Sequence, residues 1–132
     1  MISKLSVTFS ADQKAVDGIV EGVMWFVNRM QCFGKEHAIE VALNEALANA
    51  VVHGAGSDPS KTIECDVVRD NERGLLIVVR DPGQGFDPAS VPSPIVGENV
   101  YSHHGRGIYL INQLMDEVKF LKNGTEIHML KK

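Results

Sequence analysis

The chain has 132 residues, 44% of them hydrophobic and 23% charged, a balance that suits one soluble domain whose core needs no metal or disulfide staple. A formal net charge of −4 and a pI near 5.7 argue against direct binding to nucleic acid, which normally selects a basic stripe. No apolar run approaches the ~18–20 residues of a membrane span, and Met1-Ile2-Ser3-Lys4 opens no signal-type stretch, so the expected setting is the cytoplasm, with no membrane partner.

In chain order, Leu5, Val7 and Phe9 alternate with Ser6 and Thr8 as in a half-buried strand. Ser10 with Gln13 three residues on is a capping-box pattern and predicts a helix start. Val16, Ile19, Val20, Val23, Val27 and Met30 then form one apolar stripe, with Gly34 expected to close the helix. A second helix is expected over residues 35–53, with Ile39, Ala42, Leu43, Ala46, Leu47 and Ala50 on its apolar side and Gly54 and Gly56 ending it. Ile63, Cys65 and Val67 alternate with polar neighbours as a strand. After a turn, Leu75-Leu76-Ile77-Val78-Val79 is apolar on both faces and is expected at the centre of a sheet.

Residues 81–107 hold four of the five prolines and many glycines, serines and histidines; a stretch of this kind in a small domain is usually functional or disordered. A third helix is expected to start near Arg106, with Ile108, Ile111, Leu114 and Met115 on one side. Val118 and Phe120 begin another strand, Asn123-Gly124 is a hairpin signal, and residues 125–130 close the sheet. Cys32 and Cys65 lack the clustered spacing of a zinc site and read as reduced, mostly buried thiols.

Three motifs carry chemistry. Glu45, Asn49 and His53 are spaced by four, which places a carboxylate, a carboxamide and an imidazole on one helix face. The carboxamide oxygen suits magnesium, and the carboxylate suits proton acceptance or the orientation of a hydroxyl. Alone, the same pattern describes a solvated polar stripe with His53 at a helix end. Asp81-Pro82-Gly83-Gln84-Gly85-Phe86-Asp87 follows the most apolar strand. Its glycines permit a sharp turn and a close approach to a ligand, and Asp81 could accept the exocyclic amine of adenine; a plain turn has the same composition. Gly105-Arg106-Gly107 opens the third helix, where free N–H groups favour phosphates. It is neither a Walker loop nor a Rossmann fingerprint.

Taken together and in this order, the motifs resemble those of the GHKL nucleotide-binding superfamily of gyrase-type ATPases, heat-shock chaperones, histidine kinases and mismatch-repair ATPases. Within it, the chain looks most like the anti-sigma-factor serine kinases of bacteria. That closer likeness is carried by Asn44-Glu45-Ala46-Leu47-Ala48-Asn49-Ala50-Val51-Val52-His53-Gly54, the Asp81–Asp87 motif, Gly105-Arg106-Gly107-Ile108-Tyr109-Leu110-Ile111 with Leu114-Met115-Asp116-Glu117-Val118, and Asn123-Gly124-Thr125-Glu126-Ile127. It covers nearly the whole chain.

The resemblance implies a Bergerat-type α/β (α+β) two-layer sandwich over residues 1–132, with a mixed, mostly antiparallel sheet, helices on one face and an ATP lid at about 88–104. It implies ATP and Mg²⁺ as ligands, with Asn49 on the metal and Glu45 as general base or hydroxyl-orienting group. Asp81, assisted by Thr125, would hold adenine; Gly83 and Gly85 would shape its pocket; Gly105, Arg106 and Gly107 would lie against the phosphates, with His53 near them. Ser102, His103, His104 and Arg106 remain alternatives for the γ-phosphate contact, and His103-His104 reads either as a metal pair or as polar lid residues. No histidine begins the second-helix motif, where Glu45 stands instead, and no phosphoacceptor-histidine domain accompanies it, which disfavours a sensor histidine kinase. The implied function is a protein-serine kinase that phosphorylates an anti-sigma-factor antagonist and sequesters a sigma factor, in keeping with a homodimer. A nucleotide-gated binding module without kinase activity and a stand-alone ATPase are the competing readings.

Overall fold

The computed structural model describes residues 2–30, 34–83 and 103–132, without the side chains of residues 2 and 103–105. Among the described residues, five strands build one antiparallel sheet: β1 (Ile2–Ser10), β2 (Thr62–Asp70), β3 (Gly74–Arg80), β4 (Glu117–Leu121) and β5 (Glu126–Lys131), in the spatial order β1-β2-β3-β5-β4. Every pairing is antiparallel, so the expected α+β sheet contains no parallel component among the described residues. The doubly apolar run at Leu75–Val79 sits on the central strand β3, as its composition predicts.

Alternation decides which face is buried. Ile63, Cys65 and Val67 of β2, Ile77 and Val79 of β3, and Ile127 and Met129 of β5 point into the core. Against them pack α1 (Gln13–Arg29), α2 (Glu36–Asn49) and α3 (His103–Leu114), with α2 between the other two. Ile39, Leu43 and Leu47 of α2 are fully buried, each stabilising the fold by about 1.5–3 kcal/mol relative to exposure. The opposite face carries charge: Arg80 pairs with Asp66 at 2.7 Å and with Glu126 at 3.3 Å, and His128 Nε2 lies 2.7 Å from Glu126 Oε1. This ladder ties together the strand ends that lead into Asp81 and Thr125.

Several boundaries differ from those the sequence suggested. The cap of α1 is Asp12, whose carboxylate accepts the Lys14 N–H at 2.9 Å; Ser10 is instead the last residue of β1, paired with Thr62. Helix α1 stops at Arg29, before the left-handed Gly34 (φ 77°), and Cys32 lies outside the described residues. Helix α2 ends at Asn49 and passes into a π turn at Ala50–Gly54, closed by the Ala55 N–H donating to the Ala50 carbonyl at 2.9 Å. Helix α3 begins at His103, three residues earlier than expected. The hairpin signal is sound: Lys122, Asn123 and Gly124 take φ of 52°, 59° and 84° and turn β4 into β5.

Candidate functional site

A cavity of about 290 Å³ opens between α2, α3 and the end of the sheet. Its floor is one row of side chains across three strands: Val79 pairs with Ile127, and Ile127 pairs with Phe120. Ile108 and Ile111 of α3, the small Ala46 of α2 and Ala50 of the π turn that follows make the walls. Small residues on α2 keep its backbone close to the space, as a flat ligand would require. Asn49, His53, Asp81 and Thr125 supply the polar rim.

Asp81 directly follows the central strand, and its N–H donates to the Thr125 carbonyl at 2.9 Å. One carboxylate oxygen accepts the Gly83 N–H at 2.8 Å, the Asx-type turn that Asp-x-Gly encodes. Burial pushes the Asp81 carboxyl above the ordinary carboxylate range, and the Gly83 N–H opposes that shift. Gly54 lies directly against this carboxylate: a β-carbon there would stand 2.5 Å from Oδ2 and 2.6 Å from Oδ1. Gly83 has the same constraint, since a β-carbon on it would collide with the Gly54 carbonyl. Gly54 and Asp81 thus share one part of the cavity wall, with Gly83 packed against both. The Thr125 hydroxyl donates to the Lys122 carbonyl at 2.8 Å, so it braces the hairpin turn while its residue borders the cavity.

Asn49, also on the cavity, is half-buried, and its Oδ1 is fully shielded with no hydrogen-bond partner among the described residues. A buried carbonyl oxygen without a donor is costly; a hard cation is the kind of partner that relieves it. The donor set therefore fits magnesium at Asn49. No group of three or more His, Cys, Asp or Glu capable of holding a metal occurs among the described residues, so such an ion would draw its remaining ligands from phosphate and water. Glu45 does not line the cavity; its Oε2 lies beside Gly107, where a β-carbon would approach within 2.7 Å, and Asn49 Nδ2 would be 3.2 Å away.

The structure thus gathers Asn49, His53, Asp81 and Thr125 around one space, with Gly83 behind Asp81 and Gly107 against Glu45 and Asn49. His53 sits in the π turn and is exposed at the cavity edge. Gly105, Arg106 and Gly107 lie within the first turns of α3 rather than ahead of it, and Arg106 is exposed. Gly85, Ser102 and most of the stretch 88–104 lie outside the described residues; its last two residues, His103 and His104, belong to α3. Two parts of the site have no motif in the sequence: Gly54 as a partner of Asp81, and the Val79–Ile127–Phe120 floor. The available signals were the glycine directly after His53 and the shared inward phase of three alternating strands.

The sequence profile of the histidine kinase-like ATPase domain family matches residues 9–131. The chain belongs to this family. Its curated relatives include the anti-sigma F factor of Bacillus cytotoxicus, 29% identical over 98 residues, and those of Anoxybacillus flavithermus and Bacillus thuringiensis, 26% and 28% identical. Each alignment covers 70% of this chain and 66% of the relative. The antiparallel sheet and single helical layer accord with this ATPase-domain membership, and no helix among the described residues is long and apolar enough to cross a membrane.

Proposed function

We propose that this member of the histidine kinase-like ATPase family binds ATP with Mg²⁺ in the α2–α3 cavity and acts as an anti-sigma factor with protein-serine kinase activity. The observation that carries the site assignment is the buried Asn49 Oδ1, partnerless among the described residues, on a cavity that Asp81 also lines. The free Asp81 oxygen would accept the exocyclic amine of adenine, because its neighbour is already committed to Gly83. The aliphatic and aromatic floor would take the ring. The phosphates would run toward Asn49 and the amino-terminal turns of α3, with His53 and Gly105–Gly107 beside them.

Magnesium held at Asn49 would neutralise phosphate charge. The chain's own groups would position the reactants, which is most of what phosphoryl transfer needs. Glu45 would accept the proton of the attacking serine hydroxyl; the new bond forms between serine oxygen and the γ-phosphorus, and ADP leaves. The similarity to proteins named anti-sigma F factors supports a sigma factor as the sequestered partner; an antagonist protein as the serine substrate rests on the motif resemblance.

The test is transfer of label from γ-labelled ATP to the candidate antagonist encoded beside this chain. Label on an antagonist serine, lost when that serine is changed to alanine, supports the kinase. Tight ATP binding without transfer would replace it with a nucleotide-gated binding module. Release of phosphate without any partner would make the chain a stand-alone ATPase.

A further inference from the structure

Away from the nucleotide cavity, α1 and α2 enclose an open trough of about 890 Å³. Its two rims are helical stripes. Asp17, Glu21 and Trp25 follow one another at intervals of four on α1, and Glu36, Glu40 and Asn44 do so on α2. Val20, Met24 and Val41 form the apolar bed. No lysine or arginine is among its lining residues, though His37 is and Arg29 stands over Trp25 at the rim; none of the four carboxylates is in an ion pair among the described residues.

Trp25 is the chain's only tryptophan and is 60% exposed. The Arg29 guanidinium stacks 3.4 Å from its ring centroid, and Arg29 also donates to the Trp25 carbonyl at 3.1 Å. One face of the indole is therefore braced by a cation–π contact, and the ring is held out of the core although burial would stabilise it. Tryptophan and arginine are among the residues enriched at interface hot spots.

We propose that this trough docks a cationic amphipathic helix of a partner protein. The apolar bed would take its leucine-like stripe in the helix-in-groove manner. The carboxylates on both rims would meet lysine and arginine flanking that stripe. From Asp17 to Asn28 the rim spans about 16 Å at the helical rise, close to three turns of a guest helix. An acidic or nucleic-acid guest would be repelled by the same four carboxylates.

Trp25 fluorescence of the full chain reads the proposal directly. The probe is a synthetic amphipathic helix of about four turns, with leucines along one face and lysine and arginine beside them, at physiological ionic strength. Saturable change in Trp25 emission is expected. Binding should weaken at least about tenfold with Glu21→Lys/Glu40→Lys, and with a peptide of the same composition whose stripe is scrambled. Equal binding of an acid-flanked peptide, or unchanged affinity in the double variant, would overturn it. So would self-association of the free chain that the double variant abolishes, which would give the trough to a second copy. If the double variant does not fold by circular dichroism, Trp25→Ala with a fluorescently labelled peptide replaces it; undiminished affinity there overturns the proposal equally.

Discussion

Gly107 of α3 stands against the Glu45 carboxylate of α2, so closely that a β-carbon would come within 2.7 Å of Oε2 and 3.2 Å of Asn49 Nδ2. The obstructing atoms are ends of side chains, which can move; the backbone is not blocked. Gly107→Ala should therefore leave the fold intact while displacing Glu45 and Asn49 together. Calorimetry should show ATP-Mg²⁺ affinity lowered about tenfold or more, with a melting temperature changed by only a few degrees. Undisturbed ATP binding would show that this contact does not border the phosphates.

Glu45 and Asn49 are expected to separate by their effects. Glu45→Gln should lower phosphoryl transfer by about a hundredfold or more with ATP affinity nearly unchanged. Asn49→Ala should remove the magnesium-dependent part of ATP binding and slightly stabilise the empty protein, because a shielded oxygen, partnerless among the described residues, is deleted. Titrations with and without magnesium test both; parallel loss of transfer and binding in Glu45→Gln would remove the base role.

Asp81→Asn should invert the preference for the base. Gly83 N–H fixes the side-chain oxygen, so the new NH₂ would face the exocyclic amine of adenine, donor against donor. That mismatch costs about 1–3 kcal/mol, roughly tenfold or more in affinity, and should spare ITP. The empty protein should gain stability near neutral pH, because burial raises the Asp81 pKa and its ionised form is disfavoured in the fold. Competition between ATP and ITP, with thermal melts, checks both halves.

On the outer sheet face, the contact with His128, followed by the charges of Arg80 and Lys122, holds the Glu126 carboxyl below its ordinary range. Hydrogen bonding to Arg80 does the same for Asp66. A lowered folded-state pKa gives stability that is present above the ordinary carboxylate value and lost as pH falls through the folded one. Glu126→Gln should accordingly melt lower than the parent near neutral pH, and the gap should narrow toward acid. A gap independent of pH would assign the effect to packing instead.

Burial pushes the Cys65 thiol up to about 12. In a Cys32→Ser background the native chain should therefore resist thiol reagents at mildly alkaline pH and react once denatured. Fast labelling of the native form would contradict this environment.

Much of this fold was legible because local patterns agreed with the tertiary arrangement. The doubly apolar Leu75–Val79 run had to be central, and Asn123-Gly124 had to turn. The cap of α1 was misplaced because Ser10 and Asp12 are both good caps, and only the pairing of Ser10 with Thr62 settles which one the strand consumes. At the site, the spacing of Glu45, Asn49 and His53 was readable, but their division of labour was not. Glu45 faces Gly107, whereas Asn49 and His53 border the cavity. The contact of Gly54 with Asp81 joins residues distant in sequence, which no local period encodes.

The widened turn at Ala50–Gly54 makes chain length between Asn49 and Gly54 as constrained as residue identity. A regular helix would repeat its angular phase from Asn49 onward; the π turn resets that phase before Gly54 meets Asp81. Adding or removing one residue there would rotate Gly54 off the carboxylate while leaving every motif letter in place. This stretch should tolerate exchange among similar side chains far better than any insertion or deletion.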